Sequence, residues 1–272
     1  MKKILSIVGV LLIIGVYVYE QYLNTEHSTS VEAPYGQEED LRSKKDNAFY
    51  LPTSTTGAMV YHNNYTLSYS EQHEQAEWVA YLLKKSDIVY TKRKRPYFNE
   101  DKSVKTKSAD WRSYKNSGYD KGHLCPAADR RKSVASYNET FLTSNIAPQN
   151  HDFNAGIWND LEQTVRTWAK SYNDVYVVTG GILEGNLKTI GKDRVSVPNY
   201  FYKIIFNDRG DSSKMIGFII PNRSNANQSL QSYVVSVDDI EAKTGIDFFP
   251  KLNDALEDRL EGSIHTSDWR FR

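Results

Sequence analysis

The chain has 272 residues, a formal net charge of zero and 39% hydrophobic residues. This length allows one large domain with a substantial core plus an N-terminal extension. A neutral total charge argues neither for nor against a nucleic-acid partner. Cys125 is the single cysteine, which excludes an intrachain disulfide, and the six scattered histidines show no zinc-ligand spacing. Cys125 is interpreted as a small buried side chain rather than a nucleophile.

The N-terminus carries an apolar run that predicts export. Lys2 and Lys3 precede an uncharged stretch, Ile4 to Tyr19. A spanning helix needs about 20 apolar residues, whereas the apolar part of a cleaved signal peptide has about 7–15. Because no Ala-x-Ala site follows, residues 1–23 are predicted to be a signal anchor, with a signal peptide as the alternative. The protein is therefore expected to be membrane-anchored with its folded domain outside the cytoplasm, or secreted or periplasmic if the segment is cleaved.

Composition then divides the rest of the chain into a tether and one domain. Residues 24–57 are polar, with prolines and a Ser/Thr cluster, and predict a flexible linker. Residues 58–272 are predicted to form the domain. Its first elements are a hairpin over 60–69 and a strand over 78–82, where apolar side chains alternate.

The clearest helix is predicted over residues 154–170. Its apolar side chains fall on one stripe at 100° per residue, with Glu162 and Arg166 one turn apart at the edge of that stripe. The run from Val175 predicts a buried strand that ends in two glycines, and further strands are predicted at 200–206 and 215–220. A short helix is predicted at 238–243, with its stop near Gly245. Strands on both sides of a long central helix indicate an α+β fold.

A stretch rich in lysine and arginine leads into the motif that contains His123 and overlaps it. Between Thr91 and Lys132 there are thirteen Lys/Arg and five Asp/Glu. A solvated surface is the ordinary explanation for such a run. Because this block leads directly into a candidate catalytic histidine, attraction of phosphate is the better explanation.

That histidine lies in an ordered set of motifs. Residues 119–130 read Tyr-Asp-Lys-Gly-His-Leu-Cys-Pro-Ala-Ala-Asp-Arg, and residues 145–149 read Asn-Ile-Ala-Pro-Gln. Asn154, Trp158, Leu161, Glu162 and Arg166 then follow in fixed register. Together these motifs offer a general base, a neutral metal ligand and an acidic group, which is sufficient to cleave a phosphodiester with one hard metal ion.

This pattern resembles the sugar-non-specific DNA/RNA endonucleases of the ββα-metal superfamily. Their signature is Asp-Arg-Gly-His-x-x-Pro, Asn-x-x-Pro-Gln and Asn-x-x-x-Trp-x-x-Leu-Glu-x-x-x-Arg. The resemblance extends over residues 58–255 and is dense over 119–166, with Lys121 in place of the usual arginine. It implies a central antiparallel sheet flanked by helices, with a β-hairpin-plus-helix metal site on one face.

The resemblance also implies roles for individual residues. His123 is the general base, and Asn154 is the protein ligand of Mg²⁺, for which Mn²⁺ can substitute. Arg166 is a candidate for stabilising phosphate charge, because guanidinium groups match phosphate oxygens. Lys121 retains the charge of the missing arginine, and Lys121 and Arg95 are assigned to substrate binding. The family's upstream arginine matches Arg93 or Arg95, and Arg93 is favoured.

Spacing limits what Glu162 can do. In one regular helix, the Cα atoms of Asn154 and Glu162 would lie about 12 Å apart, because each residue rises 1.5 Å. Glu162 is therefore expected to hold water on the metal rather than to bind the ion directly. Asp120 is interpreted as a loop-shaping residue and His151 as a loop residue. Gly122 is expected to permit a backbone conformation or a close approach that a side chain would block.

These inferences favour a metal-dependent, largely sequence- and sugar-non-specific endonuclease that hydrolyses DNA and RNA. One alternative is a nuclease-like module that has lost catalysis and serves in binding. Another is a phosphodiesterase or toxin nuclease of narrower specificity. The sequence leaves open the preference between DNA and RNA, the strand preference, the biological role and the oligomeric state.

Overall fold

A computed structural model describes residues 49–224 and 228–271 of the chain. The predicted anchor, residues 1–23, and most of the predicted linker lie outside these described residues. Within the described part, no helix is both long and apolar enough to cross a membrane.

The centre of the domain is a seven-stranded antiparallel sheet, in the order β1-β2-β3-β6-β9-β10-β11. Its strands are β1 Met59–Tyr61, β2 Thr66–Ser70, β3 Gln75–Lys84, β6 Asp174–Gly181, β9 Tyr200–Asn207, β10 Lys214–Pro221 and β11 Val234–Val235. The central strands are buried almost throughout, because both faces of the sheet are covered. The predicted hairpin at 60–69 and the strands at 78–82, 200–206 and 215–220 are confirmed.

In the described part of the chain, two further antiparallel pairs lie outside this sheet. They are β4 Asp120–His123 with β5 Ile146–Gln149, and β7 Thr189–Ile190 with β8 Val195–Ser196. The α-helices are α1 Val134–Glu139, α2 His151–Phe153, α3 Asn159–Tyr172, α4 Val237–Thr244 and α5 Asp254–Glu261. Single 3₁₀ turns occur at Lys85–Asp87, Trp111–Tyr114, Ala127–Arg130, Thr143–Asn145, Gly210–Ser212, Leu230–Tyr233 and Thr266–Asp268.

Each face of the sheet has its own hydrophobic core. Helix α3 contributes Leu161, Val165 and Trp168 to one core, as its apolar stripe predicts. Val237 and Ile240 of α4 and Leu260 of α5 belong to the other core. Helix α4 ends at Gly245 in the left-handed conformation (φ 66°), where the sequence predicted a stop. The α+β fold, with an antiparallel sheet between layers of helices, is confirmed.

The predicted helix over 154–170 is not regular. Residues Asn154–Trp158 form a π-helical segment between α2 and α3, and Gly156 within it has non-helical angles (φ −97°, ψ −115°). The separation calculated for one regular helix therefore does not apply to Asn154 and Glu162. π-Helical turns of this kind occur frequently at functional sites.

The folded part also begins before residue 58. Trp78 donates its indole hydrogen to the carbonyl of Thr53 at 2.8 Å, and the amide of Thr55 donates to Glu77 at 3.0 Å. Pro52 is buried. Residues 49–57, which the sequence assigned to the linker, are thus held against the sheet by side chains that the linker composition does not reveal.

Candidate active site

The β4–β5 pair and the helix after it build one side of the site. In the register of this pair, His123 lies opposite Ile146 and Gly122 opposite Ala147. A Cβ atom on Gly122 would lie 2.1 Å from Cδ of Gln149, far inside any allowed contact. The sequence predicted that glycine permits a close approach here, and the geometry confirms it.

Three of the predicted site residues share one open pocket. His123, Asn154 and Glu162 line a pocket of ≈ 400 Å³, together with Pro126, Ala127, Ala128, Ala155 and Asn159. His123 comes from the end of β4, Asn154 from the first π-helical position, and Glu162 from the first turn of α3. The hairpin and the helix thus bring together residues that are far apart along the chain.

Asn154 is held in place by Asp120. Its Nδ2 donates to Oδ2 of Asp120 at 2.9 Å, which leaves the Oδ1 atom of Asn154 as the acceptor of that side chain. Nδ1 of His151 lies 2.9 Å from the same carboxylate oxygen. Asp120 and His151 were interpreted as loop residues, and that interpretation is wrong. Sequence spacing gave no sign of the contact, which depends on how the helix leaves β5.

The imidazole of His123 lies in a largely aromatic setting. Its ring centroid lies 4.9 Å from that of Phe141 in an edge-on arrangement and 5.7 Å from that of Phe98. Burial, reinforced by the nearby positive charge of Arg95, lowers the pKa of His123 from 6.5 to about 3. Nε2 of His123 is buried and has no hydrogen-bond partner among the described residues. The imidazole is therefore neutral at pH 7, with one ring nitrogen free to accept a proton.

Arg166 pairs with a buried carboxylate and does not line the pocket itself. Its Nη1 donates to Oδ1 of Asp129 at 2.8 Å and lies 3.9 Å from Oε2 of Glu162. Asp129 is 1% exposed, and its other oxygen accepts from the Tyr81 hydroxyl at 3.0 Å. Arg166 thus joins Glu162 to a buried carboxylate, and it is not among the residues that line the pocket.

A buried lysine completes the electrostatic environment of Glu162. Burial raises the pKa of Glu162 above its ordinary range, while Lys203 and Arg166 oppose that rise. Lys203 is 1% exposed, and its Nζ lies 4.6 Å from the centroid of the Trp158 ring. Burial lowers the pKa of Lys203, and the charge of Glu162 opposes that change. Lys203, which lies in a strand that reads as ordinary core, was missed in the sequence.

The predicted basic residues divide into two groups. Lys121 and Arg95 both lie near Phe98, one of the two phenylalanines that contact His123. Nζ of Lys121 is 5.6 Å from the centroid of the Phe98 ring, and Cζ of Arg95 is 5.4 Å from it. Arg93 instead donates to the backbone carbonyls of residues 131 and 132, at 3.0 and 2.9 Å. Of the two upstream arginines, it is Arg95, not the favoured Arg93, that lies near His123.

The donors in the pocket fit a hard cation that keeps most of its water. Asn154 presents a neutral amide oxygen, and Glu162 presents a carboxylate in the same open space. Three acidic side chains elsewhere, Asp238, Glu241 and Glu261, lie close enough together to share an ion. They are the one such group of three or more His, Cys, Asp or Glu side chains among the described residues, and none of them lines the pocket. The pocket does not provide a full shell of protein ligands, so a hydrated ion suits it.

Comparison with known proteins agrees with this geometry. Residues 43–255 match the profile of the family described as DNA/RNA non-specific endonuclease. The chain is 36% identical over 220 residues to the mitochondrial nuclease EXOG of Danio rerio, a match that covers 75% of this chain and 64% of that protein. It is 32% identical over 229 residues to a nuclease of Nostoc sp., covering 78% of this chain and 81% of the relative.

The fold is also similar to that of a solved structure. That structure is a crystal structure of the EndoG/EndoGI complex, which concerns the mechanism of EndoG inhibition. The two folds superpose with a TM-score of 0.72 at 28% sequence identity. The superposition covers 78% of this chain and 93% of the other chain. The ordered motifs, the hairpin-plus-helix pocket and these similarities lead to one conclusion: the chain belongs to the DNA/RNA non-specific endonuclease family.

Proposed function

We propose that the protein is a metal-dependent endonuclease that hydrolyses DNA and RNA with little regard to sequence or sugar. The observation that carries this proposal is the convergence of His123, Asn154 and Glu162 on one open pocket. A base, a neutral oxygen ligand and a carboxylate are the groups that phosphodiester hydrolysis with a single hard cation requires.

Each residue has a defined task in this proposal. His123 accepts a proton from the attacking water, which a neutral imidazole can do. Asn154 Oδ1 is the atom that would hold Mg²⁺ or Mn²⁺, and Asp120 fixes its direction. Glu162, which lines the same pocket, would orient water on such an ion. When bound, the cation neutralises phosphate charge and supplies an acidic water for the leaving oxygen.

Arg166 has a positioning task rather than a direct one. Its bond to Asp129 fixes the guanidinium, which lies 3.9 Å from Oε2 of Glu162 and stabilises the position of that carboxylate. Lys121 and Arg95 stand nearer to the position of a phosphate beside His123. Contacts of this kind carry no base information, which is consistent with low sequence specificity.

The cleavage assay that tests this function uses the full-length chain, plasmid DNA and ribosomal RNA, with Mg²⁺ or with EDTA. We expect both substrates to be cut internally with Mg²⁺ and neither with EDTA. Asn154→Ala should remove this activity, whereas the matched control Asn253→Ala should not, because Asn253 is exposed and its side chain makes no capping bond. Cleavage that survives full chelation would overturn the proposed chemistry.

The same assay separates the alternatives. A catalytically inactive binding module would retain both nucleic acids without cutting either. A phosphodiesterase or toxin nuclease of narrower specificity would cut one polymer, or one strand form, and leave the other intact.

We also propose that residues 1–23 direct the domain out of the cytoplasm. Support comes from the uncharged run between Ile4 and Tyr19 after two lysines. Deleting residues 1–23 should leave an active nuclease in the cytoplasm. Recovery of the intact full-length chain in the soluble cytoplasmic fraction would contradict this proposal.

A further inference from the structure

A second, larger open groove lies between the segment 92–99 and helix α1. It has a volume of ≈ 640 Å³, and four of its ten lining residues are the consecutive bases Lys92, Arg93, Lys94 and Arg95. None of the ten lining residues is acidic. A concave surface with one sign of charge attracts a polyanion and raises its local concentration.

The four bases do not have the same role. Arg93 is bound to two backbone carbonyls, which fixes the segment to the turn at residues 131–132. Lys92, Lys94 and Arg95 are exposed. The groove therefore has three accessible positive side chains on a segment that Arg93 holds in place.

An exposed aromatic ring is also among the lining residues. Tyr97 is 90% exposed, and Val134 of α1, which lines the same groove, is 56% exposed. Basic side chains that follow a backbone, combined with an aromatic face on which a base can stack, characterise surfaces that bind single-stranded nucleic acid. Bases in a duplex are already stacked on each other, so a lone ring of this kind has little to offer them.

The groove is connected to the active pocket through Arg95. The Arg95 guanidinium lies 5.4 Å from the Phe98 ring and 5.6 Å from the Phe141 ring. The His123 ring packs against the same two rings. Arg95 therefore belongs to the groove and packs on the same two rings as His123, so a strand bound by Arg95 could extend from the groove towards His123.

We propose that this groove binds an unpaired stretch of nucleic acid next to the cleavage site, with one base stacked on Tyr97 and the phosphates on Lys92, Lys94 and Arg95. The proposal rests on the proposed nuclease function and adds a substrate class to it. It predicts that single strands, or duplexes with unpaired ends, are held more tightly than intact duplexes.

Fluorescence anisotropy of the full-length chain in EDTA tests the proposal without cleavage. The probes are a labelled twelve-nucleotide oligo(dT) and a blunt duplex of equal length. Tyr97→Ala should weaken binding of the oligo(dT) by about 5- to 150-fold, the range for loss of one stacked base, and change duplex binding by less than about 2-fold. Tyr97→Phe should retain wild-type affinity, because the ring and not the hydroxyl is used.

Two controls make the result specific. Tyr61 is 67% exposed on β1 and does not line the groove, so Tyr61→Ala should leave both affinities unchanged. Replacing Lys92 and Lys94 together by glutamine should reduce the salt dependence of oligo(dT) binding, by about 0.7 in slope for each phosphate that is no longer neutralised. A salt slope equal to that of the wild type would show that these lysines do not bind phosphate and would overturn this part of the proposal.

The stacking contact fails if Tyr97→Ala and Tyr61→Ala give equal affinities for oligo(dT), or if Tyr97→Ala weakens single strand and duplex alike. Such a result would leave the nuclease function intact as long as the wild-type chain still cuts plasmid DNA with Mg²⁺. If the wild-type chain does not cut plasmid DNA with Mg²⁺ but its binding of oligo(dT) still depends on Tyr97, the nuclease function is contradicted and the single-strand binding site is supported.

Discussion

Replacing Arg166 by alanine tests whether this residue serves the fold or the substrate. The change removes the ion-pair partner of Asp129, a carboxylate that is 1% exposed, and leaves it with the hydrogen bond from the Tyr81 hydroxyl at 3.0 Å and the attraction of Lys203 and Arg130. Removing one member of a buried ion pair costs about 3–5 kcal/mol, because the remaining charge loses its direct partner. In a domain of this size, each kcal/mol lost from the free energy of unfolding lowers the melting temperature by about 2–4 °C. The melting temperature of Arg166→Ala should therefore fall by about 6–20 °C.

Urea and thermal unfolding of purified variants measure this loss. The matched control is Arg209→Ala, because Arg209 lies 3.8 Å from Asp174 with both side chains more than 40% exposed. An exposed pair contributes about 0–1 kcal/mol, so its loss should barely shift the midpoint. In a protein that already carries Asp129→Asn, Arg166→Ala should lower the free energy of unfolding clearly less than it does in the wild type, because the ion pair is already absent. An Arg166→Ala variant of wild-type stability whose cleavage is strongly reduced would refute this reasoning and make Arg166 a substrate contact.

Three further outcomes follow from the geometry of the pocket. Gly122→Ala should destabilise the domain by about 1–3 kcal/mol in urea unfolding, because its Cβ would meet the Gln149 side chain; unchanged stability would contradict the register. In Mg²⁺ titrations of cleavage, Asn154→Ala should lose more metal affinity than Glu162→Gln, for which about 10–100-fold is expected; the reverse order would exchange their roles. Folding lowers the pKa of His123 from 6.5 to about 3, so the unfolded chain binds a proton more readily between these two pH values. The domain should therefore lose stability as the pH falls from 6.5 towards 3. The free energy of unfolding of His123→Asn should therefore vary less with pH in this window, by up to about 1.4 kcal/mol per unit, and an unchanged slope would contradict the pKa.

Local patterns in the sequence were sufficient for most of the fold. The apolar stripe of α3 reports burial directly, since periodicity follows from which face meets the core. The alternation in β3 located the strand but not its burial, because both of its faces are covered. Gly245 marked the end of α4 because its left-handed conformation suits glycine. The spaced motifs identified His123, Asn154 and Glu162, which line one pocket.

Contacts that depend on the tertiary path could not be read in the same way. Asp129 pairs with Arg166 across 37 positions, and Lys203 reaches the Glu162 environment from a central strand. Neither has a local signal, because a buried charge is recognisable only once its partner is placed. The π-helical segment was missed for a related reason: Gly156 interrupts a helical pattern without breaking its apolar stripe.

The most direct measurement of the central claim is single-turnover cleavage of a labelled duplex by wild type and by His123→Ala at saturating Mg²⁺. A positioned general base contributes about 10²- to 10⁴-fold, so the variant should be slower by at least this factor, with partial recovery on addition of imidazole. His265→Ala is the matched control, because His265 is exposed near the C-terminus. Cleavage by His123→Ala at the wild-type rate would contradict the assignment of the base and, with it, the proposed mechanism.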